Sequence, residues 1–275
     1  MANELSFPDC WEEVTPEEWV YLLKLRHALR VRRGVSLQDI RRAWCAFVLE
    51  RRGYRFRRKH ETDDMNLVDR LAGTLGWMWV VDDEEGCVAM DFRTTKNLLP
   101  EWQGLRGPAS HGADLTFGEF RYATAAMNLY NTDHYESDLL ALTAILYRTT
   151  GAGGRRIPFC QDNMPGYMRD AVKMPGWMQW GVYVWFAYFC EYLQTGSFVV
   201  DGHEVTFAPV FSRREPDAPR SSAQDLGLNS ILYTVAESGV FGTADDTDRT
   251  PLLRVLLKLL DDKQRADEMM KRMKK

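Results

Sequence analysis

The chain has few cysteines, and they are not arranged as metal ligands or as a disulfide framework. Five cysteines are spread over 275 residues, and no two of them form a C-x-x-C pair. An odd number at wide spacing favours neither a set of disulfides nor a zinc ribbon. The simplest interpretation is free, buried thiols in a reducing cytoplasm. The first 14 residues carry acids where a secretion signal needs bases, so export by that route is not expected.

The sequence also lacks the short motifs that carry chemistry. The nucleophile motif G-x-S-x-G, the metal motif H-E-x-x-H, the dinucleotide motif G-x-G-x-x-G and the Walker phosphate-binding motif are all absent. Each of these motifs places a reactive or ligand-binding group at a spacing that its chemistry requires. We therefore predict that the protein is not an enzyme and that it uses no cofactor and no metal. An enzyme whose pocket is assembled from scattered residues stays open as an alternative.

Long uncharged runs are rare in this chain, and one of them dominates it. Residues 174–190 contain no charge, and eight aromatic residues lie between Trp177 and Tyr192. Apolar residues occupy both helical faces of this run, so the sequence predicts a central helix enclosed by the rest of the protein. Pro175 is expected at its first helical position. A membrane span would need about 20 mostly apolar residues, so we predict a protein core and no membrane contact.

The remaining segments predict a mainly α fold with two small β-hairpins, in which helical hairpins pack around the central aromatic-rich helix. A capping box at Thr15 and Glu18 begins the first helical hairpin, and Ser36 caps its second helix. Residues 77–92 predict one β-hairpin. Residues 197–207 predict the other, around an Asp-Gly turn that places His203 and the apolar residues on one buried face.

Two stretches are expected to be irregular, and the chain is expected to end in helices. Residues 98–112 and the proline-rich stretch 213–222 have the composition of loops. Helices are predicted over 228–237 and 252–260. Beyond them the charged tail keeps methionines on one side, so it can continue as an amphipathic helix or fray.

A second capping box, 101 residues after the first, indicates a degenerate internal repeat. Capping boxes recur by chance, so whether this is a true repeat stays open. We predict an N-terminal part over 1–112 and a helical body over 113–275, with a single domain as the alternative. The matched positions are Thr15, Glu18, Trp19, Tyr21, Ala43, Ala46 and Gly53 with Thr116, Glu119, Phe120, Tyr122, Ala141, Ala144 and Gly151.

Three other groups have a functional and a plain interpretation, and the plain one is preferred for each. The glycine run 151–154, followed by two arginines, resembles a phosphate loop, but it follows a helix and lacks the Lys-Ser/Thr pair. The stretch 133–138 gathers three carboxylates and His134, yet such acids commonly begin a helix. His203 is expected to be a partly buried, hydrogen-bonded histidine rather than a base.

Charge is distributed unevenly, and this is the most informative functional feature. Residues 24–59 contain thirteen Lys and Arg against two acids, a net charge of +11, which leaves −15 for the rest of a chain whose total is −4. Within this region, residues 51–59 form what we call the basic segment. Its candidate partner-binding residues are Arg51, Arg52, Tyr54, Arg55, Phe56, Arg57, Arg58 and Lys59.

Arginines interleaved with aromatic residues can pair with phosphates and stack on bases, and they can equally dock on an acidic protein surface. Because the rest of the chain is acidic, we expect a protein partner, which includes self-association through another copy's acidic face. A nucleic-acid-associated role for the basic segment is the runner-up.

Several phrases resemble those of uncharacterised proteins encoded among the tail genes of bacterial prophages. They are WEEVTPEEW at 11–19, TTKNLLP at 94–100, LTFGEF at 115–120, LYR at 146–148, WGVYVWFAYF at 180–189 and AESGVF at 236–241. The resemblance covers most of the chain and carries over no functional residue. It implies a non-enzymatic role in tail assembly or structure, such as an assembly chaperone. Phage structural or assembly proteins would then be the partners, in the cytoplasm or in the virion.

Overall fold

The computed structural model describes residues 6–32, 34–82, 87–200, 202–211 and 228–273. It confirms the predicted fold class, because helices dominate and the strands form only small antiparallel sheets. The helices are α1 (Pro16–Val31), α2 (Leu37–Arg51), α3 (Glu61–Thr74), α4 (Phe117–Asp133), α5 (Glu136–Leu146), α6 (Met164–Ala171), α7 (Gly176–Thr195), α8 (Ala208–Phe211), α9 (Leu228–Glu237), α10 (Ala244–Arg249) and α11 (Leu252–Met273). The strands are β1 (Trp79–Asp82), β2 (Cys87–Met90), β3 (Glu101–Trp102), β4 (Leu105–Arg106), β5 (Arg148–Thr149), β6 (Ser197–Val200) and β7 (His203–Thr206).

Helix α7 is the predicted central helix, and it packs against α1 and α5. None of residues 177–190 is exposed, which agrees with an apolar run that must be enclosed. Gly181 lets α1 approach closely, since a Cβ there would lie 2.5 Å from a methyl carbon of Leu23. The expectation for Pro175 is wrong by one position. Its ψ of 143° is extended, so Pro175 is the N-cap, and its carbonyl accepts the first hydrogen bonds of the helix.

The predicted capping boxes are present. In α1 and in α4, the threonine before the helix accepts the N–H of the third helical residue, whose glutamate accepts the threonine N–H in return. Ser36 and Asp39 form the same arrangement at α2. Each box satisfies two backbone donors that the first turn of a helix leaves free. The pairs α1–α2 and α4–α5 are therefore helical hairpins with matching starts.

Both predicted β-hairpins form. Strand β1 pairs with β2, and β6 pairs with β7 with Val200 opposite His203. Gly202 has the expected positive φ of 80°, while Asp201 lies outside the described residues. Phe198 and Phe207 are buried on the predicted face. His203 is exposed, so its predicted partial burial is wrong. It follows the turn at the end of the hairpin, beyond the reach of the core.

Residues 98–112 are not wholly irregular as expected, because they contribute β3 and β4 to a three-stranded sheet of order β3-β4-β5. The turn between β3 and β4 uses positive φ values at Gln103 and Gly104, 45° and 81°. Each of these strands is two residues long, so no alternation of polar and apolar residues could reveal it.

The C-terminal helices follow the prediction with one addition. Residues 244–249 form α10, a short helix that the sequence analysis did not predict and that Thr243 begins with a further capping box. The tail continues as helix to the end of α11. Residues 213–222 lie outside the described part of the chain.

One connected cluster of buried side chains, from Trp11 to Leu260, draws on both halves of the chain. The two-part division at residue 112 stays a prediction. The free thiols are partly as expected: Cys45 is buried, whereas Cys160 is exposed. Burial raises the pKa of Cys45 to about 12, so this thiol is not a reactive thiolate.

Candidate functional site

The structure divides the basic segment into a part used inside the fold and a part that faces solvent. Arg51 lies 3.4 Å from the exposed Glu17. Arg52 forms two hydrogen bonds with the buried Glu18, of 2.8 and 3.1 Å, and also donates to the backbone carbonyls of Ser6 and Glu13. The guanidinium of Arg52 therefore ties the N-terminal stretch to the first helical hairpin.

Asp64, on α3, fixes the middle of the segment. Its carboxylate accepts the Tyr54 hydroxyl at 2.6 Å and the Arg57 backbone N–H at 2.9 Å. The hydrogen bond from Tyr54, followed by that from Arg57, lowers the pKa of Asp64, and the same contact with Asp64 raises the pKa of Tyr54. Phe56 packs edge-on against Tyr54, with 5.1 Å between the two ring centroids. Residues 54–57 are thus held without regular secondary structure.

The remaining side chains of the segment point outward. Arg55, Phe56, Arg57, Arg58 and Lys59 are all exposed. The four cations among them form no ion pair with any residue in the described ranges. A shallow cavity of about 490 Å³ lies beside them and includes Tyr54, His60 and Asp63 in its lining. This surface combines free positive charge with a partly exposed aromatic ring.

A second candidate is a cleft of about 1050 Å³ that the sequence did not indicate. It lies between the first turn of α4, the stretch 155–162 and α10. Its charged residues balance, because it is lined by five arginines and five acids. They are Arg106, Arg148, Arg155, Arg156 and Arg249 with Asp114, Glu119, Asp162, Asp245 and Asp248.

The floor of this cleft is a buried ion network centred on Glu119. Arg148 and Arg156 both donate to Oε1 of Glu119, and the side chains of all three are at most 4% exposed. The remaining donors of Arg148 bind the carbonyls of Ile145 and Ile157. Burial lowers the pKa of Arg148, and the charge of Glu119 opposes that shift. Every group in this floor already has a partner, so the network holds the fold together and offers no free acid or base.

The same arrangement occurs in both helical hairpins. In each, the glutamate of the capping box accepts from an arginine just past the second helix: Glu18 from Arg52, and Glu119 from Arg148. The two hairpins therefore share a contact that joins their two ends, although Arg52 and Arg148 are not matched positions of the proposed repeat. The long sequence separations, 34 and 29 residues, explain why no local pattern showed it.

The weaker sequence candidates do not assemble into a site. His134 ends α4 in the left-handed conformation, and Asp138 lies on α5, so the two do not share one helix as a metal pair would require. The glycine run is a turn beside Arg106, which donates to the Gly154 carbonyl. Among the described residues, the group of acids and thiols close enough to hold an ion is Asp9, Cys10 and Glu13. There Glu13 already accepts the Asp9 N–H.

Comparison with protein-family models, curated proteins and solved structures found no match to this chain. Within the described ranges, no helix combines the length and the apolar character that crossing a membrane requires. The site must therefore be interpreted from its own chemistry.

Proposed function

We propose that the protein acts by binding another protein through Arg55, Phe56, Arg57, Arg58 and Lys59, and that the partner presents an acidic surface there. The observation that carries this proposal is the exposure of four cations that form no ion pair within the described structure. Elsewhere in the segment, Arg51 and Arg52 do have carboxylate partners. The four unpaired cations are therefore available to form ion pairs with another molecule.

The rigidity of the segment supports a binding role. Asp64 holds Tyr54 and the backbone of Arg57, so the loop conformation does not have to be ordered when a partner arrives. Preorganisation of this kind lowers the entropic cost of association. Phe56, 36% exposed, supplies an aromatic contact of the type that is enriched at protein interfaces.

The surroundings favour a protein over a nucleic acid. Glu61 and Asp63 follow directly on α3 and are exposed, with the Asp63 side chain at 82%. Carboxylates this close in sequence to the basic segment would repel a phosphate backbone. A protein partner can instead present positive charges opposite these carboxylates and negative charges opposite the arginines. Stacking of a base on Phe56 between arginines is the feature that keeps nucleic acid as the runner-up.

The prophage resemblance makes phage structural or assembly proteins the first partners to test, and an acidic face of a second copy the next. The role would be non-enzymatic, because the charged floor of the cleft is internally satisfied and the exposed cations sit apart from it. It would be exercised in the cytoplasm or in the virion.

Two matched variants test the proposal. The first changes Arg55, Arg57 and Arg58 to Gln. The control changes Lys24, Arg30 and Arg32 to Gln, which removes the same charge from exposed residues. Each protein is used to capture partners from cells that express it together with its neighbouring genes, and captured proteins are quantified. We expect an acidic protein that wild type and the control retain and the first variant loses.

DNA binding is measured in parallel by fluorescence anisotropy with labelled single- and double-stranded oligonucleotides. Non-specific DNA binders have dissociation constants of roughly 10⁻⁴ to 10⁻⁶ M at physiological salt. We expect no binding with a dissociation constant in the micromolar range. Tight, salt-sensitive DNA binding that disappears in the Arg55, Arg57 and Arg58 variant would overturn the proposal in favour of a nucleic-acid role. Equal capture by wild type and this variant would contradict it as well.

A further inference from the structure

The cleft beside α4 has free charges on its rim, although its floor is internally satisfied. Arg106 and Arg155 are exposed and line the same end, because Nη1 of Arg106 donates to the carbonyl of Gly154, the residue before Arg155. Neither arginine lies within ion-pair distance of a carboxylate in the described ranges. The third exposed arginine of the cleft, Arg249, has Asp246 at 3.9 Å. The end at Arg106 and Arg155 is therefore positively charged.

Negative charge lines the other walls of the cleft. Asp162 and Arg155 are at opposite ends of the wall formed by residues 155–162. Asp245 lies on α10, which an ion pair of 2.6 Å between Asp248 and Arg121 holds against α4. Asp162 and Asp245 are exposed, and neither has a cation within ion-pair distance among the residues that the structure describes. The rim thus presents both signs of charge at separate places.

The wall between these charges is apolar. Ile157, Pro158 and Phe159 line the cleft, and the ring of Phe159 lies 5.2 Å from that of Tyr122 between centroids. This wall is fixed from behind, since Arg148 donates to the Ile157 carbonyl at 2.9 Å. The cleft volume of about 1050 Å³ lies at the upper limit of the roughly 300–1,000 Å³ that is typical of small-molecule sites. It therefore has room for a segment of polypeptide.

We propose that this cleft binds an extended peptide segment of another protein, in which an acidic and a basic side chain flank an apolar one. The acidic side chain pairs with Arg106 and Arg155, and the apolar one packs on Ile157 and Phe159. The basic side chain pairs with the acids of the other walls. A nucleic acid carries negative charge throughout, so these acids would repel it. A peptide can present both signs along one chain, and such complementary charges select the sequence and its direction.

The cleft lies apart from the basic segment, so this proposal goes beyond the proposed function and can fail independently of it. The probe is a phage-displayed library of short random peptides, selected on the immobilised full chain. Arg155→Glu and Asp162→Lys each reverse one exposed charge of the cleft. Arg169→Glu is the matched control, because Arg169 is exposed and does not line the cleft. Circular dichroism checks that all three variants stay folded.

We expect wild type and Arg169→Glu to enrich the same peptides, with an acid on one side of an apolar residue and a base on the other. Arg155→Glu should replace the preferred acid with a base, and Asp162→Lys should replace the preferred base with an acid. A synthetic peptide from the wild-type selection should bind either charge-reversal variant about tenfold more weakly than wild type in fluorescence anisotropy, because like charges then face each other.

Two results would overturn the proposal. One is a selection that enriches no peptide on wild type above an uncoated surface. The other is enrichment of the same peptides by wild type and by both charge-reversal variants. Peptides that depend instead on Arg55, Arg57 and Arg58 would belong to the basic segment, and they would support the proposed function while contradicting a peptide site in the cleft.

Discussion

Replacing Glu119 with Gln would remove the negative charge at the centre of the buried network while preserving the shape of the side chain. Gln can still complete the capping box with Thr116, as Glu does. Arg148 and Arg156 would keep their carbonyl partners but lose the carboxylate between them. Asp114, whose side chain is 44% exposed, would be the remaining acid beside Arg156. The change therefore isolates the role of the charge.

The burial of the Glu119, Arg148 and Arg156 side chains determines how much unfolding free energy the substitution removes. Removing one partner of a buried ion pair costs about 3–5 kcal/mol, because the other charge is left without compensation away from water. We expect a loss in this range for Glu119→Gln. Glu18→Gln is the internal control, since Glu18 occupies the same capping position in α1. Arg52 is 18% exposed and can be hydrated, so we expect a smaller loss of about 1–2 kcal/mol.

Urea unfolding followed by tryptophan fluorescence gives both free energies of unfolding. A domain of marginal stability has about 5–15 kcal/mol in total, so the two variants should have clearly different midpoints. Equal midpoints, or a loss below about 1 kcal/mol for Glu119→Gln, would mean that the network contributes as weakly as a surface ion pair. The interpretation of the cleft floor as a structural network would then be wrong.

Three further changes test other parts of the fold. Trp185→Ala removes a side chain that is 3% exposed and stacked on Phe189, so thermal and urea unfolding should show a loss of about 3–5 kcal/mol. Gly202→Val forces a β-branched residue to a φ of 80° and should cost about 1–2 kcal/mol, whereas an unchanged midpoint would show that the turn relaxes. Asp64→Asn should reduce stability at neutral pH, because hydrogen bonds from Tyr54 and Arg57 lower the pKa of Asp64 in the folded state. That contribution is present above the unfolded pKa and is lost as pH falls through the folded pKa, so unfolding curves of variant and wild type should converge in acid; a constant difference would contradict this.

The parts of the fold that sequence predicted are those that short stretches of chain determine. A capping box needs four consecutive residues, and the central helix needs one uncharged aromatic run. The turn at Gly202 needs two residues and fixes the register of both its strands. In each case the residues that stabilise the element are also its neighbours in sequence, so their pattern is visible without the fold.

Helix α3 was not predicted although it is 14 residues long, whereas two other missed parts depend on contacts between distant residues or on elements too short to have a period. The sheet of β3, β4 and β5 joins residues 101–106 to 148–149. Its strands are stabilised by the surrounding core rather than by their own propensity. Helix α10 is six residues long, which is less than two turns, so hydrophobic periodicity could not identify it.

The basic segment shows why composition alone could not separate structural from functional charge. Arg52 and Arg55 belong to the same run and have the same chemistry, yet one is bonded to the buried Glu18 and the other is exposed. What distinguishes them is position: Arg52 lies at the end of α2, where the antiparallel packing of the hairpin returns the chain to the capping box of α1. The same reasoning places Arg148 beside Glu119 at the end of α5. In each hairpin, an arginine that follows the second helix faces inward to the capping-box glutamate of the first helix. In the first hairpin, the arginines beyond Arg52 are exposed and are therefore available to a partner.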